Sequence, residues 1–107
     1  QSVILQNVLF DTGCAATVTD ALAAINIQID FINGQAKRMY GVGGTSEICY
    51  EQHIPNLLIE QLRLNDFLIQ LGSIQEPYGF DGILGIDFMM RAKCKVDFEN
   101  LNIDLTY

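Results

Sequence analysis

Apolar residues along the chain fall into short runs broken by polar or glycine-bearing stretches, a rhythm that favours strands over helices. Residues 2–10 are rich in Val, Leu and Ile and stop at Asp11-Thr12-Gly13, a turn-prone triplet. Residues 15–19 resume a strand, and Thr19-Asp20 can open a short helical turn over 21–25. Asn33-Gly34 signals a hairpin between 27–32 and 36–40, and a second reversal is expected at Gly41-Val42-Gly43-Gly44, between 38–40 and 46–50. Residues 57–64 and 67–71 read as two strands separated by Asn65-Asp66. Residues 72–79, with Gly72, Pro77 and Gly79, read as a loop, and 80–84 as a short apolar run ending at Gly85. Only 86–92 reads as a helix of any conviction, with Asp87 near its start and Arg91 and Lys93 near its end, as the helix dipole prefers. A last hairpin joins 94–98 to 101–105 through Glu99-Asn100. Many short strands with one late helix predict a small, mainly-β barrel or sandwich.

Length and composition narrow the picture. The 107 residues predict one domain over 1–107, and with half of them hydrophobic a core can form without disulfides or metal. The net charge of −7, with only six Lys and Arg, argues against a nucleic-acid surface and against contact with an anionic membrane. No apolar run approaches the roughly 20 residues that span a bilayer, and none reads as a signal peptide. Gln1 in place of Met is what a domain cut from a longer precursor would show. Cys14, Cys49 and Cys94 are odd in number and form no Cys-x-x-Cys, so reduced, mostly buried thiols in a reducing compartment are expected, not a disulfide framework or a zinc site.

Three segments carry candidate chemistry. In Leu9-Phe10-Asp11-Thr12-Gly13 a carboxylate emerges from an apolar strand into a tight turn, where Gly13 allows close backbone approach and unusual dihedrals. The plain alternative is an Asx turn in which Asp11 bonds nearby backbone N–H groups. The second segment, Phe80-Asp81-Gly82-Ile83-Leu84-Gly85-Ile86-Asp87-Phe88, is a glycine-bracketed strand running into a helix, which an ordinary strand–turn–helix connection also explains. Gly41-Val42-Gly43-Gly44 is the third, a glycine-rich hairpin tip or simply a β-turn.

Taken in order and spacing, the three resemble the retropepsin family of aspartic proteases over roughly residues 3–98. Leu9 to Gly13 matches that family's hydrophobic-hydrophobic-Asp-Thr/Ser-Gly motif, Met39-Tyr40-Gly41-Val42-Gly43-Gly44 its glycine-rich flap, and Ile83-Leu84-Gly85 its late segment before a helix. The Asp81-to-Phe88 wording is more similar to cellular and retroelement members than to the best-known viral enzymes. Two positions depart from the viral pattern: Ala15 and Ile86 stand where many members pair Asp with Arg in support of the dimer.

The resemblance implies a small closed-barrel acid-protease (retropepsin) fold, mainly β, with one short C-terminal helix. It implies an aspartic endopeptidase acting on a peptide or protein substrate without metal or organic cofactor. A chain with one Asp-Thr-Gly must then borrow its second carboxylate from an identical subunit, so a homodimer is expected. In that reading Asp11 activates water, Thr12 reaches across the two-fold axis, and Gly13 offers backbone to the substrate. Met39, Tyr40, Gly41, Val42, Gly43 and Gly44 close over the peptide, while Ile83 and Leu84 form an apolar wall. Cys14 stands where a hydroxyl would donate to the carboxylate pair; a thiol donates weakly, so a mildly acidic optimum of about pH 5 to 6 follows. Asp87 is expected to cap the late helix, Asp81 to serve a turn, and His53 to be solvent-exposed.

Other classes fit less well. A Ser-His-Asp or Cys-His hydrolase would rest on His53 alone, without a Gly-x-Ser-x-Gly elbow, and the Gly41–Gly44 segment lacks a P-loop lysine. The competing reading of a different kind is a retropepsin-fold module that dimerises or binds peptides without cutting them.

Overall fold

The computed structural model describes residues 3–23, 35–40 and 46–106, the side chains of 35–40, 46–49 and 77 excepted. Its elements, in chain order, are β1 (Val8–Phe10), β2 (Val18–Asp20), β3 (Gln35–Tyr40), β4 (Ser46–Ile59), β5 (Leu62–Gly72), α1 (Gln75–Tyr78), β6 (Gly82–Leu84), α2 (Ile86–Arg91), β7 (Lys95–Asp97) and β8 (Asn102–Asp104). Six strands form one sheet in the order β1-β6-β2-β5-β4-β3, and β7 and β8 form a separate hairpin. The β1–β6 and β2–β5 pairs are parallel and the remainder antiparallel.

The expected closed barrel is not what the chain forms. Closure requires the two outer strands to pair with each other. Here β1 and β3 stand at opposite edges of a six-stranded sheet, so among the described residues the sheet is open. Helical content also differs slightly, because the expected loop over 72–79 contains the single turn α1 before the longer α2.

The core grows from β5. Leu62, Leu64, Phe67, Ile69 and Leu71 are buried on one side of this strand, and Phe88, Met89 and Ala92 of α2 and its C-cap pack on them. The buried phase shifts between Leu64 and Phe67, at Asn65-Asp66. That polar pair was expected to separate two strands; it is instead a kink within β5, with Asp66 in the left-handed region at φ 55°. Pro55 lies across from it in β4, where the ladder steps from Ile54–Phe67 to Asn56–Asn65. Proline has no N–H for the ladder and is tolerated in a stretch that lacks a second neighbour; β3 covers β4 only as far as Glu51. Arg91 clasps the kink, donating to the Asn65 carbonyl at 3.0 Å with its guanidinium 5.4 Å from the Phe67 ring centroid. The true reversal is at Glu60-Gln61, between Ile59 and Leu62, and Glu60 also takes a φ of 55°.

Other expected elements are placed within a few residues. β1 keeps only the end of the predicted 2–10 strand, because the Asp81 carboxylate takes the N–H groups of Gln6 and Asn7 and holds this stretch outside the ladder. The reversal flanks expected before and after 41–45 pair as β3 and β4, with Tyr40 opposite Ser46. Asn33-Gly34 and Gly41–Gly44 lie outside the described residues. The terminal hairpin turns as expected, with Asp97 accepting from the N–H groups of Glu99 and Asn100. Cys14 and Cys94 are free but only half-buried, and His53 is exposed, 3.0 Å from Asp66.

Asp20 is the polar centre of the fold. Its side chain is 2% exposed at the end of β2. Oδ2 accepts the N–H groups of Leu22 and Ala23, closing the turn after the strand, while Oδ1 accepts those of Ile74 and Gln75 at 2.9 Å each. Ile74 is the N-cap of α1 and offers no side-chain cap, so Asp20 supplies one from across the sheet. Burial by itself pushes this carboxyl up, but the four N–H donors outweigh it and hold its pKa below the ordinary value of 3.8.

A carboxylate held low in the folded state stabilises above the unfolded pKa and loses that contribution as pH falls through the folded one. Stability of the wild type should therefore decline as pH drops below about 3.8, the unfolded reference. Asp20→Asn should lower stability at pH 7 and flatten that acid-side decline, as followed by urea denaturation across pH 2.5 to 7.

Candidate functional site

Asp11 follows β1 directly, and its position is set by the neighbouring strand. Phe10 pairs with Leu84 in the parallel β1–β6 ladder, and the Asp11 backbone N–H donates to the Leu84 carbonyl at 3.0 Å. The chain then turns: Cys14 N–H donates to the Asp11 carbonyl, and Gly13 N–H donates to Asp11 Oδ1 at 2.8 Å. The local Asx bond expected as the plain alternative is therefore present. It occupies one carboxylate oxygen; among the described residues Oδ2 has no partner. The carboxyl is half-buried, while Thr12 and Gly13 are exposed beside it.

Gly13 does not use a left-handed φ, contrary to the dihedral argument made from the sequence. Its value here is space, since a Cβ would stand 3.2 Å from Asp11 Oδ1. Gly85 is a stronger case. Its φ of −99° and ψ of −171° suit any residue, yet a Cβ there would lie 2.6 Å from the Cys14 carbonyl oxygen and 2.9 Å from Ala16 backbone atoms. Only glycine lets the loop after Asp11 lie against the turn between β6 and α2.

Those two segments are laced together. Ile86 N–H donates to the Cys14 carbonyl at 2.8 Å and Asp87 N–H to the Ala15 carbonyl at 3.3 Å. Gly85 N–H donates to Thr17 Oγ1, and Thr17 donates through both its N–H and its hydroxyl to the Asp87 carboxylate. Asp87 is thus not the N-cap expected of it. That position is Gly85, and the Asp87 carboxylate faces the loop. Thr17 escaped sequence reasoning altogether; its one visible signal was a hydroxyl in an otherwise small, apolar stretch. Asp81 holds the opposite end of the β1–β6 pair, accepting from Gln6, Asn7 and Gln75.

Cys14 was expected to address the carboxylate. Its Sγ instead lies 3.0 Å from the Ala16 carbonyl, to which the thiol donates. Burial pushes its pKa up, and the nearby charges of Asp11 and Asp87 push the same way, so the thiol stays protonated at neutral pH.

Among the other expected site residues, Met39 and Tyr40 belong to β3, and Gly41, Val42, Gly43 and Gly44 lie outside the described residues. Ile83 and Leu84 are adjacent on β6, so their side chains point to opposite faces. Leu84 shares its face with Phe10, packs on the core and lines an apolar groove with Val8, Phe88, Ile103 and Leu105. Ile83 shares the opposite face with Leu9. A single wall made of both is therefore not available; Ile83 alone fronts the Leu9 side. Among the described residues no His, Cys, Asp and Glu group is arranged to hold a metal, and no helix is long and apolar enough to cross a membrane.

No protein-family model and no curated protein matches the chain. Among solved structures it is similar to a retropepsin-like aspartic protease from Rickettsia conorii, with a TM-score of 0.62 and 16% identity over 82% of this chain and 64% of that one. It is likewise similar to the retroviral protease-like domain of Ddi1 from Leishmania major, with a TM-score of 0.57 and 12% identity over 96% of this chain and 85% of that one. The chain therefore has a retropepsin-like fold, although it spans less than two thirds of the Rickettsia chain.

The close approach at Gly85 has a measurable consequence. Gly85→Ala must displace backbone atoms of Cys14 and Ala16, and should cost on the order of 1–3 kcal/mol in chemical denaturation. Gly82→Ala is a milder neighbour, since its nearest contact is the flexible end of Leu5 at 3.1 Å. It should cost clearly less.

Proposed function

We propose that the protein is an aspartic endopeptidase, active as a homodimer, in which the Asp11 carboxylates of two copies activate one water against a peptide bond. The observation that carries this reading is Asp11 itself: a half-buried carboxyl at the end of the edge strand β1 of a retropepsin-like fold, fixed by Gly13 through one oxygen and, among the described residues, unpartnered at the other. Peptide hydrolysis by carboxylates needs a base and an acid on the same water and carbonyl, and one chain supplies a single such group.

Two carboxyls about 3 Å apart cannot both ionise cheaply, so they hold one proton between them. The ionised member takes a proton from water as the oxygen attacks the scissile carbonyl carbon. The protonated member gives its proton to the carbonyl oxygen. Collapse of the tetrahedral adduct returns that oxygen's proton to the pair, the C–N bond breaks, and the amine nitrogen leaves carrying a proton from the dyad. Thr12, exposed beside Asp11, is placed by this reading at the contact with the partner, and Gly13 at the substrate backbone. The segment 39–44 covers the peptide, and Ile83 contributes an apolar contact next to the scissile bond.

The exposed surface near β1 supports a second copy. Among the described residues the outer edge of β1 is unpaired, and Val8 shares the apolar groove with Ile103 of β8. The β7–β8 hairpin beyond it presents Phe98 at 83% and Leu101 at 86% exposure, beside the partly exposed Val96 and Ile103. Isolated two-stranded hairpins are marginal in water, and apolar tips of this kind are ordinarily covered. The other reading, a module that dimerises or binds peptides without cutting, is favoured by the Asp11–Gly13 bond, which accounts for the carboxylate as a turn element.

Digestion of a peptide library separates the two. The enzyme reading expects cleavage that pepstatin inhibits and that Asp11→Asn abolishes by at least about 10³-fold. A dimer that leaves every peptide intact supports the binding module and overturns the protease. Phe98→Asp with Leu101→Asp should weaken self-association at least tenfold in sedimentation while leaving the circular dichroism unchanged; unaltered association would remove the hairpin from the interface.

A further inference from the structure

We infer that Asp87, acting through Thr17, is a positioning residue for the Asp11 carboxylate; this rests on the protease reading and adds to it a residue that does not touch substrate. The half-buried Asp87 carboxylate accepts three donors. Oδ1 takes the Thr17 hydroxyl at 2.7 Å and the Phe88 N–H at 2.7 Å, and Oδ2 takes the Thr17 N–H at 2.9 Å. Thr17 Oγ1 is itself an acceptor for the Gly85 N–H at 3.1 Å. The hydroxyl has a single proton, so accepting from Gly85 and donating to Asp87 fixes its orientation.

The chain Gly85–Thr17–Asp87 ties the two ends of one small loop. At its near end Asp11 N–H is held by Leu84, the residue before Gly85, and Cys14 and Ala15 carbonyls receive the N–H groups of Ile86 and Asp87. Every one of these links is backbone to backbone. The carboxylate at 87 and the hydroxyl at 17 are the side chains that lock them, and both lie where the loop after Asp11 ends. The charges of Asp11 and Asp87 both act on Cys14, which lies between them in the loop. Loss of the lock leaves Asp11 attached but free to shift, and a shift of about 1 Å in a reacting group can cost about 10²-fold in rate.

The donor pattern explains why this position is an acid. All three partners donate, so an amide at 87 would set its NH2 against an N–H or an O–H. Asp87→Asn is therefore a sharp test despite its equal size, and Thr17→Val removes the same hydroxyl from the other side. Thr17→Ser keeps it.

The variants are assayed well below their melting temperatures, with the folded fraction measured in each. Asp87→Asn and Thr17→Val should each lower kcat about 10–100-fold with KM within threefold. Thr17→Ser should keep kcat within threefold of wild type. The Asp87→Asn/Thr17→Val double variant should lose little beyond either single, since both break one network. A folded Asp87→Asn protein with wild-type kcat, or a loss of rate that only tracks the unfolded fraction, overturns the proposal. Amide hydrogen exchange, read by NMR, separates this outcome from failure of the protease reading. Should the wild type cleave nothing, the protease reading falls. The lock then stands if Asp11 and Gly85 N–H protection drops at least tenfold in Asp87→Asn while Ile69 protection is kept, and it falls if protection at Asp11 and Gly85 is unchanged.

Discussion

The site depends on a backbone contact too close for a side chain. At Gly85 the turn from β6 into α2 lies against the loop after Asp11, with room for a hydrogen and not for a methyl group. Because the segments touch there, the carbonyls of Cys14 and Ala15 can receive the first N–H groups of α2, which a short helix would otherwise leave to solvent. The same contact puts Thr17 within reach of Asp87. The placement of Asp11 is thus decided by residues more than 70 positions away in sequence, Leu84 first among them, and the Phe10–Leu84 pairing just before it supplies rigidity.

Two carboxylates divide the structural labour, one at each end of β6. Asp20 gathers four backbone donors from the end of β2 and the start of α1, and Asp87 gathers three from the loop and its own helix. The donors around Asp20 outweigh its burial and keep it ionised, and both side chains are held in place by several bonds. Asp11 differs from both. Among the described residues its carboxyl has one oxygen engaged and one open, the state expected of a group that works on a ligand or on a symmetry mate instead of on its own fold.

The signals that were legible in the sequence are local ones. An apolar strand ending at Asp11, the helix from Ile86, the Glu99-Asn100 turn and the β3–β4 flanks each arise from residues adjacent in sequence, where alternation, dipole preference and turn chemistry act directly. Asn65-Asp66 gave a true signal with the wrong meaning: polar residues mark a break in alternation, but a kink and a turn look alike in one dimension. Glu60-Gln61, where the chain does reverse, carries none of the residues that favour a left-handed φ, so the hairpin is imposed by the long β4–β5 pairing and not by its turn. The roles of Asp20 and Asp87 were hidden for a simpler reason. Beside their local donors each binds distant ones, 54 and 55 residues away for Asp20 and 70 for Asp87, and no local pattern encodes such contacts. Barrel closure was an inference from likeness, and among the described residues the strand order leaves β1 and β3 at opposite edges.

The central claim is that one site is built from two copies of Asp11, and subunit mixing tests it most directly. Wild-type and Asp11→Asn chains are combined in equal amounts at constant total protein, allowed to exchange, and assayed on a cleaved peptide. A site that needs both carboxylates retains about a quarter of the wild-type rate, because only that share of dimers carries two intact copies. A rate of about one half would mean that each chain works alone, and the shared-site account would be wrong.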